Sequence, residues 1–458
     1  MNAWHAWRSP AAVLLSAQIC TAYAATDLLS VLTTAEQMDP IYREAQDNAL
    51  AVAEGVPQAN ADLWLPRLTL NAGYGRVRQD IRLENAFGAD GVVYYNAHDY
   101  RVNLNQPVYH HDRIIALRQA DKRLQQAQLE VVVARQDLLL RVAERYFDVL
   151  AARDNLAFAT AEQESLRRQF EQAQQRFEVG LIAITDVQEA QAGYDRATAS
   201  EIGAQNQIEN AVEALRELTE TYHADLLALG DHMPLNVPAP ADIDAWTSTA
   251  LNNNLEIAAA NLAAALAQDE IRRQQAGHLP TLDIIGGHGF NKQGGRFGSS
   301  MVDQSDLAIE LNVPIYEGGR TVSLTREAEH QHRAALERLE QSRRAVQRET
   351  REAYLGIAAQ ISSIQALQQA VVSSRTALES TTAGFEVGTR TAIDVVAAER
   401  GLSQSQRDLA RARYDYIIDT LRLKKAAGSL APDDLAIANS WLTEVPLGDA
   451  SAAGVSTP

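Results

Sequence analysis

Cysteine is all but missing from this chain of 458 residues. Cys20 stands alone, so neither a disulfide framework nor a cysteine-ligated structural zinc can hold the fold. Aromatic residues make up 6%, too few for thick aromatic cores. Positive charge is in deficit, with 41 Lys and Arg against 59 Asp and Glu and a formal charge of -18, which disfavours any partner read through its phosphates and leaves no nucleic acid to be expected. No apolar run reaches 18 residues, so no transmembrane helix is available. Gly286-Gly287 and Gly318-Gly319 lack a phosphate-loop lysine, and neither a Gly-x-Ser-x-Gly element nor a His-Glu-x-x-His zinc motif occurs. Nothing marks an enzyme, and no cofactor or metal is expected. The adjacent pair His110-His111 points apart with no ligand spaced to join it, and is expected at a solvated strand-to-helix junction.

What is present begins with an export signal. Residues 1–24 carry Arg8, an apolar stretch from Ala11 to Ile19 and the small-x-small site Ala22-Tyr23-Ala24. Cleavage there removes Cys20, and Ile19 before it is not the small residue that a lipid-attachment site wants. An exported, cysteine-free, acidic chain remains.

That chain repeats itself. Leu65-Pro-Arg-Leu-Thr-Leu-Asn-Ala-Gly-Tyr-Gly75 matches Leu279-Pro-Thr-Leu-Asp-Ile-Ile-Gly-Gly-His-Gly289 at an offset of 214. Phe177-Glu-Val-Gly180 with Asp186-Val187 matches Phe385-Glu-Val-Gly388 with Asp394-Val395 at 208. Between them, Val102-Asn-Leu-Asn-Gln-Pro-Val-Tyr109 matches Ile309-Glu-Leu-Asn-Val-Pro-Ile-Tyr316 at 207, so a surface loop in the first hairpin is longer by 7 residues.

Within each copy the apolar period switches between 2 and 3.6. Leu68, Leu70, Ala72 and Tyr74 alternate with polar or small residues, as do Tyr100, Val102 and Leu104; Leu282, Ile284 and Phe290, and then Leu307, Ile309, Leu311 and Val313, do the same in the second copy. Four strands in two hairpins (65–109 and 279–316) follow, with Pro66, Pro107, Pro280 and Pro314 at the ends nearest the helices. Residues 111–179 then run 69 positions without Pro or Gly, about 100 Å if helical throughout, and residues 319–387 match them without Pro. Leu117, Ala120, Leu124, Ala127, Val131, Ala134 and Leu138 form a heptad seam with alanine knobs. Helices from about Ile184 to Leu229 and Ala392 to Ala427 are expected to fold back, Gly180 and Gly388 serving as C-caps at the reversals.

A sheet in hydrocarbon must close, and single-chain barrels use at least about 8 strands. Four strands per chain therefore need partner chains; three chains would give 12. The alternative is a periplasmic coiled-coil scaffold or adaptor protein whose sheet stays in water.

His278-Leu-Pro-Thr-Leu-Asp283, Val313-Pro-Ile-Tyr-Glu-Gly-Gly319, Tyr146-Phe-Asp-Val-Leu150, Val179-Gly-Leu-Ile-Ala-Ile-Thr-Asp-Val-Gln188 and Val387-Gly-Thr-Arg-Thr-Ala-Ile-Asp-Val395, in this twice-repeated order, resemble the TolC family of outer-membrane proteins from about residue 26 to about 440. The resemblance implies an α+β membrane protein: a TolC-like trimeric tunnel, with a 12-stranded outer-membrane β-barrel and a long periplasmic α-helical coiled-coil barrel. It implies an exit duct for multidrug efflux or type I secretion, a homotrimer in outer-membrane lipid, docked to a periplasmic membrane-fusion adaptor and an inner-membrane transporter of RND, ABC or MFS type. The expected divisions are the signal (1–24), a first repeat (25–229), an equatorial linker (230–257), a second repeat (258–430), and an equatorial segment and tail (431–458).

By the same resemblance, Arg390 faces Thr185 and Asp186 in a latch that closes the periplasmic end, and Asp394 forms a constriction ring. Val179, Gly180, Leu181, Val387, Gly388 and Thr389 form the adaptor-docking tips. Phe385 replaces a tyrosine of the family pattern and Ala397 a second aspartate, so a looser latch is expected.

Overall fold

The computed structural model describes residues 26–81, 91–223, 225–230, 233–295 and 298–443. The expected export signal and the tail from 445 lie outside them. Three helices come first, α1 (Leu28–Met38), α2 (Pro40–Ala53) and α3 (Gly55–Trp64). Asp27 caps α1 by accepting from the Ser30 backbone N–H at 2.9 Å, and Asp39 caps α2 by accepting from that of Tyr42 at 2.8 Å, with Pro40 in the first turn where a missing N–H does no harm.

The hairpin strands are β1 (Arg67–Ile81) with β2 (Gly91–Tyr109), and β4 (Thr281–Gly295) with β5 (Gly298–Asn312). They form one antiparallel sheet in the order β1-β2-β4-β5. Nine residues separate β1 from β2 and two separate β4 from β5, which places the seven-residue difference between the copies between the paired strands of each hairpin. Pro107 lies inside β2 at a register shift rather than beyond its end.

The two faces of this sheet differ in chemistry. Leu68, Leu70 and Tyr74, then Tyr100, Val102, Leu307, Ile309 and Leu311, are all exposed on one face. Thr69, Asn71, Asn103, Asn105, Asp306 and Glu310 alternate onto the other. The apolar band also slants. Leu68, Leu104, Gly286 and Leu307 share one hydrogen-bonded row, yet the band runs from that row up to Tyr74 on β1 and down to Leu311 on β5. A shift of about five residues over three strand steps, at roughly 3.3 Å per residue and 4.8 Å per step, corresponds to a strand tilt of about 45–50°, close to that of membrane barrels.

From the sheet descends α4 (His111–Glu178), 68 residues without a break, and α5 (Ile184–Thr219) folds back along it. The second copy repeats this with α8 (Arg320–Glu386) and α9 (Ala392–Ala426). Of the expected heptad seam, Ala120, Ala127 and Leu138 are fully buried and the rest half-buried. Helix α5 stops ten residues short of the expected Leu229, because Glu220 turns left-handed at φ 56°. Ala228–Leu229 instead forms β3, paired antiparallel with β6 (Leu442–Thr443). Between the copies the described residues are irregular only to Asp242, after which α6 (Ile243–Asn253) begins; α7 (Leu255–Gln275) then leads to β4, and α10 (Pro432–Asn439) follows α9.

The main core sits midway along the long helices. Leu138, Tyr146, Phe147 and Leu150 of α4 pack with Leu28 of α1, Ile357 and Ile364 of α8, Ile417 and Leu421 of α9 and Leu435 of α10. Phe147 meets Tyr146 edge-on at 5.7 Å. Asp39, 1% exposed, receives both prongs of Arg141 at 3.0 and 2.8 Å, which compensates its burial. Below this belt only small clusters remain, such as Leu166 with Ala197 and Val396.

His110 corrects an expectation. It is 8% exposed rather than solvated, and its Nε2 lies 3.0 and 3.1 Å from the two carboxylate oxygens of Asp283. The pairing of β2 with β4 brings this partner from 173 residues away, a proximity that no local spacing carries. Among the described residues no helix is long and apolar enough to cross a membrane.

Candidate functional site at the hairpin tips

The far ends of the long helices are built alike. In the first, the Gly180 N–H bonds the Phe177 carbonyl at 2.8 Å and the Leu181 N–H bonds that of Arg176 at 2.9 Å. In the second, Gly388 bonds Phe385 at 3.1 Å and Thr389 bonds Gly384 at 2.8 Å. This is the double reversal that ends a helix on a left-handed residue, and Gly180 and Gly388 have φ of 78° and 79°. A side chain there would strain the turn by about 1–2 kcal/mol.

Each reversal presents apolar groups to water. Val179 and Leu181 are 71% and 73% exposed, and Val387 is 75% exposed. A cluster of Ala173, Val187 and Ala190 holds the first tip from within.

The next helix of each pair is capped by its aspartate. Asp186 accepts the Ala183 N–H at 3.2 Å. Asp394 accepts the Thr391 N–H at 2.9 Å and the Thr391 hydroxyl at 3.0 Å. Those two bonds, and then the nearby charge of Arg390, hold the Asp394 carboxyl below the usual carboxylate range.

The latch residues are not joined within one chain. Among the described residues Arg390 makes no ion pair with Asp186 and no hydrogen bond to Thr185. Its backbone N–H bonds the Gly384 carbonyl at 3.2 Å, and its stem lies over Gly384, where an added Cβ would come 2.8 Å from the Arg390 Cγ. The physical reason is that the turn folds Arg390 back onto its own helix. Gly384, costing about 1 kcal/mol inside a helix, is the residue that leaves it room.

What does join the tips is a contact that spacing alone did not reveal. The Arg176 guanidinium lies over the Phe385 ring, 4.8 Å from its centre. Phe385 thus holds a cation from the other repeat. The signal was present in Arg176-Phe177 beside Gly384-Phe385, where one copy has arginine and the other glycine, but only the assembled fold shows that they meet.

At the opposite end, the polar face of the sheet carries its own ion pair. Arg101 donates to Asp306 at 2.6 Å and to Asn103 at 3.0 Å, lying flat across Gly287, where any side chain would overlap its guanidinium. The molecule therefore combines a sheet with one apolar and one charged face, a helical shaft, and a pair of glycine-turned tips.

A family model described as outer membrane efflux protein matches residues 32–220 and 246–429, one stretch in each copy. The chain is 37% identical over 434 residues to outer membrane protein TolC of Vibrio cholerae, covering 92% of this chain and 97% of that protein. It is 30% identical over 377 residues to the alkaline protease secretion protein AprF of Pseudomonas aeruginosa, covering 81% and 78%. Its fold matches the crystal structure of the Campylobacter jejuni CmeC outer membrane channel with a TM-score of 0.73 at 16% identity, covering 92% of this chain and 91% of that one. The repeat, the slanted apolar band and the hairpin tips are accordingly those of an outer-membrane channel with a helical tunnel in the periplasm, and the chain belongs to the outer membrane efflux protein family.

Proposed function

We propose that three copies of this outer-membrane exit duct pool their strands into one closed 12-stranded barrel, and that the helix tips form its gated periplasmic mouth. The observation that carries this reading is the four-stranded sheet, apolar on one face and edged by β1 and β5, which pair with no further strand among the described residues. Such edges are untenable in hydrocarbon until neighbouring copies pair them. Heat-resistant trimers in the outer-membrane fraction are the expected result; soluble periplasmic monomers would instead support the scaffold reading.

At the mouth, Arg390 of one chain reaches Thr185 and Asp186 of the next, since among the described residues its guanidinium makes no ion pair within its own chain. One arginine can bond a carboxylate and a hydroxyl together, and at a wet site such a pair contributes on the order of 1 kcal/mol, weak enough for a docking partner to break. Arg176 on Phe385 adds about 0.5–1 kcal/mol within each chain. The three Asp394 carboxylates around the axis attract cations, and in a chain of charge -18 they predict a cation-preferring duct. Reversal potentials in a salt gradient test this, and anion selectivity would contradict it.

The exposed Val179, Gly180, Leu181, Val387, Gly388 and Thr389 are where a periplasmic membrane-fusion adaptor docks, itself joined to an inner-membrane transporter. Crosslinking from cysteines beside Gly180 and Gly388 identifies that adaptor and, through it, whether the cargo is a drug or a secreted protein. Cysteines placed there that capture no periplasmic protein would contradict docking at the tips.

A further inference from the structure

Beyond the apolar band, at the strand ends farthest from the helices, the outward face changes character. Arg76 and Arg78 follow Tyr74 on β1, both exposed, and Lys292 sits across the sheet on β4 in the row Tyr74, His98, Lys292. Among the described residues none of these three cations has a carboxylate in ion-pair contact. The contrast with Arg101 on the polar face, held by Asp306, is direct. Among the described residues outward acids are fewer at this level, Asp80 and Asp303, and Asp303 lies 3.7 Å from His288.

Aromatic rings line the border between the band and the cations. Phe290 lies 5.8 Å from Tyr100 and 5.9 Å from His98, and the Arg76 guanidinium is 5.8 Å from the Tyr94 ring. Rings of this kind mark the interface where acyl chain gives way to headgroup. Cations at this level that make no ion pair among the described residues, in a chain of net charge -18, are complementary to anions at headgroup height.

We propose that Arg76, Arg78 and Lys292 form a binding site for the phosphate groups of an anionic outer-leaflet lipid whose acyl chains lie on Leu68, Leu70 and Tyr74. The site rests on the reading of this face as the lipid-facing side of the barrel.

Protein extracted from outer membranes in mild detergent tests it, with the phosphorylated glycolipid retained per chain counted by mass spectrometry. The Arg76→Gln/Arg78→Gln/Lys292→Gln variant is expected to retain less, about fivefold less affinity per charge removed, while still assembling heat-resistant outer-membrane trimers. Arg101→Gln, which removes a cation from the polar face, should retain the lipid as wild type does. Equal retention by the triple variant overturns the site, as does equal loss with Arg101→Gln. So does binding of enzymatically dephosphorylated lipid as well as the intact form. Displacement by millimolar inorganic phosphate would overturn the lipid as the source of the anion. Absence of wild-type trimers from the outer membrane would defeat the lipid-facing reading itself, a result distinct from all of these.

Discussion

The two tips descend from one repeated unit, yet they divide the work between them. Both end their long helix on a left-handed glycine at nearly the same φ, 78° and 79°, so the reversal itself is shared. Around it the residues have diverged in complementary ways. Where the first tip has Leu181 and Ile182, the second has Thr389 and Arg390; where the first has Ala183 at the cap, the second has Thr391. The first carries its arginine on the helix, at Arg176, and the second answers with Gly384 and the ring of Phe385. One tip is an apolar grip with a cation behind it; the other is a polar, doubly bonded turn that offers an aromatic surface and holds an arginine free. A homologous pair has become a matched pair, which is what contact between unlike surfaces around a ring requires.

The shared part should break equally. Gly180→Val and Gly388→Val each force a β-branched residue into the left-handed region, costing at least about 1–2 kcal/mol. Limited proteolysis of the trimer should cut either tip at least about tenfold faster, with the barrel unaffected. A Gly180→Val tip that resists cleavage while Gly388→Val is cut would show that the turns are not equivalent.

The arginines come next in size, and they should not behave alike. Arg390→Ala is expected to give a more open trimer in single-channel conductance, and a variant no more open than wild type would remove Arg390 from the latch. Arg176→Ala should give a smaller increase, matching about 0.5–1 kcal/mol, that vanishes in a Phe385→Leu background. Additive effects in that double-mutant cycle would mean that the ring and the guanidinium are neighbours without being coupled.

Comparable in energy, but confined to the first turn of each returning helix and therefore smallest in its effect on the channel, is the exchange of caps. Thr391→Ala should cost about 1 kcal/mol at the start of α9, and Ala183→Thr should stabilise α5 by a similar amount, since it supplies the missing hydroxyl. Amide exchange at the first turn of each helix reads both changes, and opposite signs are expected.

How far the sequence was legible follows the reach of each interaction. The long helices were readable almost to the residue, because an unbroken apolar period and a terminal glycine act locally: α4 ends at Glu178 just before the glycine-led turn at Gly180. The four strands were readable from alternation, and even the seven-residue excess surfaced in the offsets. What was not readable depends on partners remote in sequence. Helix α5 ends at Thr219 because Glu220 turns left-handed, and Ala228–Leu229 pairs instead with β6, more than 200 residues on. The burial of His110 is not legible locally, because Asp283 approaches it only through the sheet. The role of Arg176 is not legible locally either, because the ring it covers lies in the other repeat. The resemblance, by contrast, placed Arg390 against Asp186, and a single chain does not bring them together.

Acid offers the finest division between the tips. The Asp394 carboxyl is held below its ordinary value of 3.8 by two bonds from Thr391, whereas Asp186 receives one bond, at 3.2 Å. A carboxyl whose folded value is depressed adds stability that is fully present above its unfolded value and is lost as pH falls through the folded one. The second tip should therefore keep its cap at neutral pH and begin to loosen only below about pH 4, and Asp394→Asn should abolish that pH dependence. Amide exchange at Asp394 and Val395, corrected for intrinsic rates between pH 7 and 3, measures this directly. Loosening that begins near pH 6, or that persists in Asp394→Asn, would assign the acid response to another group.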